Sequence, residues 1–543
     1  MNSWSRGGYE GLSKVPTVHR LLCLSAITVR RSPQPKMSTT SAQAAKSPVS
    51  HVEVFQDAEK AVEGKAQDEL QSESFTAKEE SKLVLRQDLI ILPLLSLALF
   101  FGYLDRGNIG NARILGMEED LHLTSQQYYN IVMMFFLGYM VIELPAGMAL
   151  RYFHPRWVFG IAVIIFGASA ASAGKAKSYT TLMGLRVLIG LAEAFANNAY
   201  IFVSLWYKDS ELALRTALVY SLTPIAGAFS GIISYGVGKN LEGASNIRAW
   251  QWLFIIEGVI TVGMGFVLMA LLPGLPETVS QKGHFPGFRD PRRRRLILAR
   301  LRSSQNAEGA KFRWHQVLLA LRDPKIYLGS AMVGCQGIGI GAFGVFLPTF
   351  INEFGFGALE TQLYSMIPYA FGLAGLIAGS WLADHLGRKA VMILVCLSTT
   401  ITGFVILLST TNKVALLAGA CFVTTGAYPG LAIGVAWHLS CHGGYTKRAM
   451  CIWICQIFVQ SYSIISTQTY RDPPRFFLGH GVSVGLYCVG VVCTMVLYYI
   501  CKTANAAKTQ RTRELEADGV DDPLTSKDLE ELCDYHPKYM YAL

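Results

Sequence analysis

Charge is scarce in this chain. Asp, Glu, Lys and Arg supply 16% of its 543 residues, against ~25% in an average soluble protein. Apolar residues reach 51% and mean hydropathy is +0.33. That leaves too little polar surface to cover a water-soluble body of this length, so a string of soluble domains is excluded. Catalytic signatures are missing as well: no HExxH, Walker loop, GxSxG elbow or dinucleotide fingerprint stands in a suitable context. GIGIGAFG (337–344) looks like a phosphate-binding loop, but it lies inside an apolar run, where glycines serve close helix contact or flexibility. None of the eleven cysteines forms a CxxC pair; Cys451 and Cys455 stand one helical turn apart, which is a packing spacing. The reading is therefore of a protein that is no enzyme, with no metal site, cofactor or disulfide framework.

What the chain does have is apolar runs of spanning length. A helix needs ~20 apolar residues to cross a bilayer, and twelve such runs are present, near 88–107, 126–149, 157–174, 180–206, 216–237, 251–272, 326–351, 360–383, 389–409, 413–438, 447–468 and 480–502. The expected fold class is an all-α membrane protein with twelve transmembrane helices in two six-helix bundles. The polar segment 1–85 reads as a disordered N-terminal tail. The bundles occupy 86–272 and 326–502, a basic loop 273–325 joins them, and 503–543 forms a polar C-terminal tail that is disordered or only locally helical. LLCLSAITV (21–29) is too short for a span and lacks a small-residue cleavage site; initiation at Met37 would remove it.

The net charge of +10 sits in short loops and tails, where it orients a membrane protein and meets anionic head groups; nucleic acid is not an expected partner. The short loops on one side carry eight Lys and Arg residues and those on the other carry nine, so they do not decide the topology. The segment 282–325 adds twelve to the first side, among them Arg292, Arg293, Arg294 and Arg295. That makes twenty against nine, which places the loop and both termini in the cytoplasm. The loop is expected to tether the bundles and lie along anionic lipid through Arg292 to Arg295.

Family resemblance begins at the turn between the eighth and ninth spans. GSWLADHLGRKAVM (379–392) resembles the acidic and Gly-Arg-Lys signature of the major facilitator superfamily. The resemblance implies a conformational latch formed by Gly379, Asp384, Gly387, Arg388 and Lys389, with Asp384 capping a helix or pairing with Arg388. The matching first-half stretch GMALRYFHPRW (147–157) has no aspartate there. YLDRGNIGNA (103–112), ELPAGMALRYFHPRW (143–157), SLWYKDSELALR (204–215), AWQWLFIIEG (249–258), GGYTKRA (443–449) and DPPRFFLG (472–479) together resemble the fungal allantoate permease family of anion:cation symporters over roughly 85–505. This implies uptake of a small organic anion, a carboxylate or vitamin-like molecule, coupled to protons, by a monomer in the plasma membrane with lipids as its other partners. The chain departs from that family at EAFANNAY (193–200), IFVQSYS (457–463) and CHGGYTKRA (441–449). An exporter of a fungal secondary metabolite and a non-transporting nutrient sensor are the alternatives; a membrane-embedded enzyme would need a convergent set of catalytic groups at one depth.

Ionisable residues inside spans are costly and mark function by default. Arg186 and Glu193 stand two helical turns apart and share a face of the fourth span; Arg186-x-x-x-Gly190 also resembles a superfamily motif tied to proton coupling. Asp105 and Arg106 are placed at the outer end of the first span, as an entrance site. Glu143, ahead of Pro145, reads as a gate contact, and Glu257 as a partner of Arg106 or Arg186. Asn197 and Asn198 supply amides where a carboxylate needs hydrogen bonds. His438 lies near the cytoplasmic end of the tenth span, as a titrating or packing group. Tyr428-Pro429-Gly430 reads as a hinge, and Trp437 as a cavity-lining residue or an interfacial anchor.

Overall fold

The computed structural model describes residues 75–282, 288–303, 313–517, 524 and 529–543, and all regular structure among them is helical. Twelve helices run where the apolar runs lie: α1 (Ala77–Ile114), α2 (Ser125–Tyr152), α3 (Pro155–Ala173), α4 (Tyr179–Asn197 continued by Ala199–Trp206), α5 (Asp209–Asn240), α6 (Ala249–Leu271), α7 (Pro324–Glu353), α8 (Ala358–Tyr364 continued by Met366–Leu386), α9 (Lys389–Ser409), α10 (Lys413–Ser440), α11 (Tyr445–Thr469) and α12 (Phe477–Ala517). Eleven are long and apolar enough to cross a membrane outright; α7 is the twelfth when its 45° bend between Gly341 and Phe343, within GIGIGAFG, is taken inside one span.

Local chemistry sets the ends. Thr76 and Thr124 each accept a hydrogen bond from the third backbone N–H of their helices, and Glu79 and Gln127 answer with side-chain bonds to the cap residue's own N–H, two full capping boxes. Asp323 and Asn412 cap α7 and α10, and Pro155 and Pro324 occupy first-turn positions where a missing N–H costs nothing. Gly387 ends α8 in the left-handed region at φ 60°, which a glycine adopts without strain.

Two boundaries differ from expectation. Helix α1 starts at Ala77, inside the segment read as disordered tail, because the capping box and the ion pairs of Glu80 and Asp88 stabilise its polar first turns. Helix α12 runs on to Ala517, and residues 533–543 pack back against the bundle instead of trailing away. Residues 1–74, the rest of that tail, lie outside the described residues.

The packing repeats with a shift of six helices. α1 packs on α5 and α6, α2 on α4, and α3 on α6; likewise α7 packs on α11 and α12, α8 on α10, and α9 on α12. Between the halves, α2 meets α11, α5 meets α8 and α1 meets α7, the set expected when one half is related to the other by a two-fold axis. Close approach relies on glycine: a Cβ on Gly190 would stand 2.2 Å from the Phe135 carbonyl oxygen, so α4 meets the backbone of α2.

Polar contacts between halves run down α2 and α11 from the end away from the termini. Gln126 donates to Gln468 (3.1 Å) and accepts from Arg471 (3.2 Å), Ser461 donates to the Met140 sulfur (3.8 Å), and Gln456 donates to Glu143 (3.4 Å). Closer to the termini than Glu143 and Gln456, none of the polar contacts recorded among the described residues joins α1–α6 to α7–α12, so this zipper stops short of that end.

The central segment is anchored twice at that end. The helix Pro291–Ser303 docks on the first half: Arg300 pairs with Glu80 and, at 2.5 Å, with Glu211, and Arg292 pairs with Glu79 at 3.0 Å. The helix Trp314–Arg322 docks on the second: the Gln316 side-chain oxygen accepts the backbone N–H groups of Thr446 (2.8 Å) and Lys447 (3.1 Å) at the start of α11. Part of the charge expected to face lipid is thus spent on protein carboxylates; Arg293 also pairs with Asp290 at 3.5 Å.

The C-terminal residues close over the same end of the second half. Asp534 is fully buried and accepts from Lys325 and, at 2.5 Å, from Lys447; Lys447 also meets Asp323 at 2.6 Å. Two lysines and two aspartates therefore neutralise one another out of water, as buried charges must. Burial alone would raise the Asp534 carboxyl, but Lys447 and Lys325 hold it well below the usual carboxylate range. Trp437 donates to the Ala542 carbonyl (2.9 Å) and Tyr539 to the Ser440 carbonyl (2.9 Å), so the buried Trp437 holds this segment.

Candidate functional site

The ionisable residues of the first half converge between α1 and α4. Arg186 donates to Asp105 at 3.1 Å, with both side chains buried. Arg106, next to Asp105, pairs with Glu193, two turns from Arg186, at 2.6 Å. Arg186 and Glu193 share a face of α4, as their seven-residue spacing requires, but they do not pair with each other; each reaches across to α1. Asp105 and Arg106 are neighbours in α1 while their partners stand seven residues apart in α4, so the two side chains reach different turns of that helix, which no single-helix reading contains.

This position corrects the sequence reading of Asp105 and Arg106. Helix α1 continues eight residues beyond Arg106, to Ile114, and Asp105 is 4% exposed. They are interior residues, not an outer entrance.

Arg106 is the most open member of the group, with 21% of its side chain exposed against 4% for Glu193. Its guanidinium lies 4.8 Å from the Tyr103 ring centre, 5.3 Å from Phe135 and 5.5 Å from Tyr139. A cation among three ring systems is held by their quadrupoles and kept from water. An accessible guanidinium with aromatic walls suits a flat carboxylate, since Arg offers two parallel N–H donors. Several polar atoms here are buried without protein partners, namely Asp105 Oδ1, Arg186 Nε and Nη2, and Glu193 Oε2.

Glu257 departs from expectation. It accepts from Asn108 of α1, not from Arg106 or Arg186, and Asn108 continues a buried chain through Ser230 (3.2 Å) to Asn111 (2.6 Å). That chain joins α1, α5 and α6 within the first half. Glu143, read as a gate contact, accepts from Gln456 of α11 at 3.4 Å, a contact between the halves. Asn198 breaks α4: its side chain donates to the Ala194 carbonyl (3.1 Å), so that amide serves the break, while Asn197 ends the first segment half-buried. His438 is 1% exposed and faces Ser330 (3.3 Å) and Cys451 (3.1 Å), a core position away from the α1–α4 group.

At the signature turn, Gly379 lies where a Cβ would meet Pro429 of α10 at 2.8 Å, so it permits a close approach. In strict register the first glycine of the signature falls at Ser380, one residue later. Asp384, Arg388 and Gly387 are exposed, Lys389 is half-buried, and Asp384 makes no ion pair among the described residues; neither role expected of it is realised in this state. Helix α10 runs unbroken through Tyr428-Pro429-Gly430.

Sequence reasoning missed the aromatic walls and Gln336. The latter is 1% exposed on α7, neither amide atom has a hydrogen-bond partner, and it abuts Gly430 of α10. A single amide in an otherwise apolar run was its only signal.

The superfamily model described as Major Facilitator Superfamily matches residues 95–453. The chain belongs to the major facilitator superfamily. Relatives within this superfamily include an uncharacterized transporter of Schizosaccharomyces pombe, 29% identical over 436 residues, covering 80% of this chain and 89% of that protein. The high-affinity nicotinic acid transporter of Saccharomyces cerevisiae is 28% identical over 475 residues, covering 85% of each. Among solved structures, a D-xylose-proton symporter shares the fold with a TM-score of 0.57 at 14% identity, over 76% of this chain and 97% of that one. As a member of this superfamily the protein is a multi-pass membrane transporter and not an enzyme.

Proposed function

We propose that the protein carries a small organic anion across the membrane by alternating access, in exchange for the Glu193 contact on Arg106 and in step with a proton. The single observation behind this is the Arg106–Glu193 pair, half of it reachable and walled by Tyr103, Phe135 and Tyr139. A substrate carboxylate that takes Arg106 leaves Glu193 without its counterion in a dry place, and a proton on Glu193 restores neutrality. One carboxylate and one proton then travel together, and Arg186 with Asp105 fixes the crossing of α1 and α4 beneath them. The nicotinic acid named for the yeast relative is a flat aromatic carboxylate, the shape such walls accept. The kinship to fungal allantoate permeases, a plasma-membrane location, cytoplasmic termini and a monomeric state belong to the same proposal, and the basic central segment supports the orientation.

The test is uptake of labelled carboxylates, nicotinate first, into permease-deficient yeast with and without a protonophore. Uptake that collapses with the gradient and falls at least ~100-fold in Arg106→Ala supports the reading, since a charged hydrogen-bonded partner is worth ~3 kcal/mol or more when buried. Gradient-independent flux, or Arg106→Ala and Arg186→Ala variants with unchanged kinetics and pH dependence, would sink it.

A further inference from the structure

The termini-side end of the second half holds a second buried cluster, apart from the α1–α4 pairs. His438 lies at the end of α10, His442 follows in the turn to α11, and Cys451 stands two turns into α11; all three are buried, and their ligand atoms lie within 4.8 Å of one another. His438 Nε2 is 3.1 Å from Cys451 Sγ. His442 is 0% exposed, yet neither of its ring nitrogens has a hydrogen-bond partner, and His438 Nδ1 has none either. Burying an imidazole with both nitrogens unanswered is costly, and such groups call for an explanation.

We propose that His438, His442 and Cys451 bind a divalent ion of the zinc class, a structural metal that ties α10 to α11. Two imidazoles and one thiol are the ligand set that a borderline-soft cation prefers over magnesium or calcium. Asp323 Oδ2 lies 3.8 Å from His442 Nδ1. A carboxylate behind one nitrogen of a histidine that binds through the other is the usual outer partner of a metal ligand. The Cys451 thiol proton passes to solvent as the metal–sulfur bond forms. The surrounding charge permits this: Asp323 and Asp534 balance Lys325 and Lys447, so the site is not already cationic.

The spacing His-x3-His-x8-Cys hid the site in the sequence, because Cys451 was weighed with Cys455 and not with histidines across the turn. The proposal goes beyond anion transport and does not depend on it.

Purified full-length protein, stripped with chelator, is titrated with Zn²⁺ against a chromophoric chelator, and separately with Co²⁺ under the spectrophotometer. One equivalent of Zn²⁺ that competes with the chelator is expected, with thiolate-to-cobalt charge-transfer absorption in the Co²⁺ form. Cys451→Ser removes that absorption, and His442→Gln weakens Zn²⁺ binding at least ~10-fold. A wild-type protein that binds no competing equivalent, or a Co²⁺ spectrum without thiolate absorption, overturns the proposal whatever the variants do. So does an equivalent that Cys451→Ser and His442→Gln both leave unchanged.

Discussion

In the proposed cycle, Glu193 is the residue on which coupling turns. Its side chain is 4% exposed and is paired with Arg106, the more exposed partner at 21%. In Glu193→Gln the amide still accepts from Arg106 but no longer takes up a proton. Uptake should then lose its dependence on the proton gradient and show a flat pH profile, while exchange of anion for anion persists; counterflow in vesicles at pH 5 and 8 measures both. Single residues of this kind were legible in the sequence because a charge inside an apolar run is expensive and stands out. Their partners were not. Pairing depends on how α1 and α4 cross, so Glu257 was assigned to an arginine and in fact serves Asn108. Gln336 and the rings around Arg106 carry no charge, and they disappear into the apolar background.

Helices carry their own tests. Gly190→Ala puts a methyl group 2.2 Å from the Phe135 carbonyl, a backbone atom that cannot step aside, whereas a Cβ on Gly184 of the same helix meets nothing within 4 Å. Gly190→Ala should abolish monodisperse protein on size exclusion. Gly184→Ala should leave it intact or raise its melting temperature slightly, by the ~1 kcal/mol that separates alanine from glycine in helices.

The docked C-terminal segment is a second element with a sharp expectation. Lys447→Met leaves Asp323 and Asp534 to share Lys325, and removal of one partner from a buried pair costs roughly 3–5 kcal/mol. Residues 533–543 should then exchange amide hydrogens at least ~100-fold faster. The pH dependence follows from the lowered Asp534 value. A depressed carboxyl contributes stability above its ordinary value of ~3.9 and loses it only as the pH falls through the folded value. Protection of this segment in the native protein should therefore be flat from pH 8 to 5 and fail only in strong acid. The twelve spans themselves were readable from hydropathy because the bilayer fixes their length. Composition gave no sign of this docking, since a polar tail reads as solvated until Asp534 finds two buried lysines.

For the whole molecule, the zipper of α2 and α11 is the feature that opens and closes under the proposed alternating access. Gln126 and Gln468 meet at its far end, 3.1 Å apart. A Gln126→Cys, Gln468→Cys variant joined by a short bismaleimide should keep that end shut and stop transport, while either single variant under the same treatment transports normally. Undiminished flux in the cross-linked double variant would mean that the halves do not separate there.

The two anchors of the central segment limit that motion. Ser303 ends the helix held by the first half, and Arg313 precedes the one held by the second. Ten peptide units separate them, and a chain of that length spans at most ~33–36 Å. However the halves rock, the loop-side gape cannot exceed what this leash allows. While both anchors hold, the tether thus sets an upper bound on the stroke of the machine, and with it on the girth of any cargo that must leave by that side.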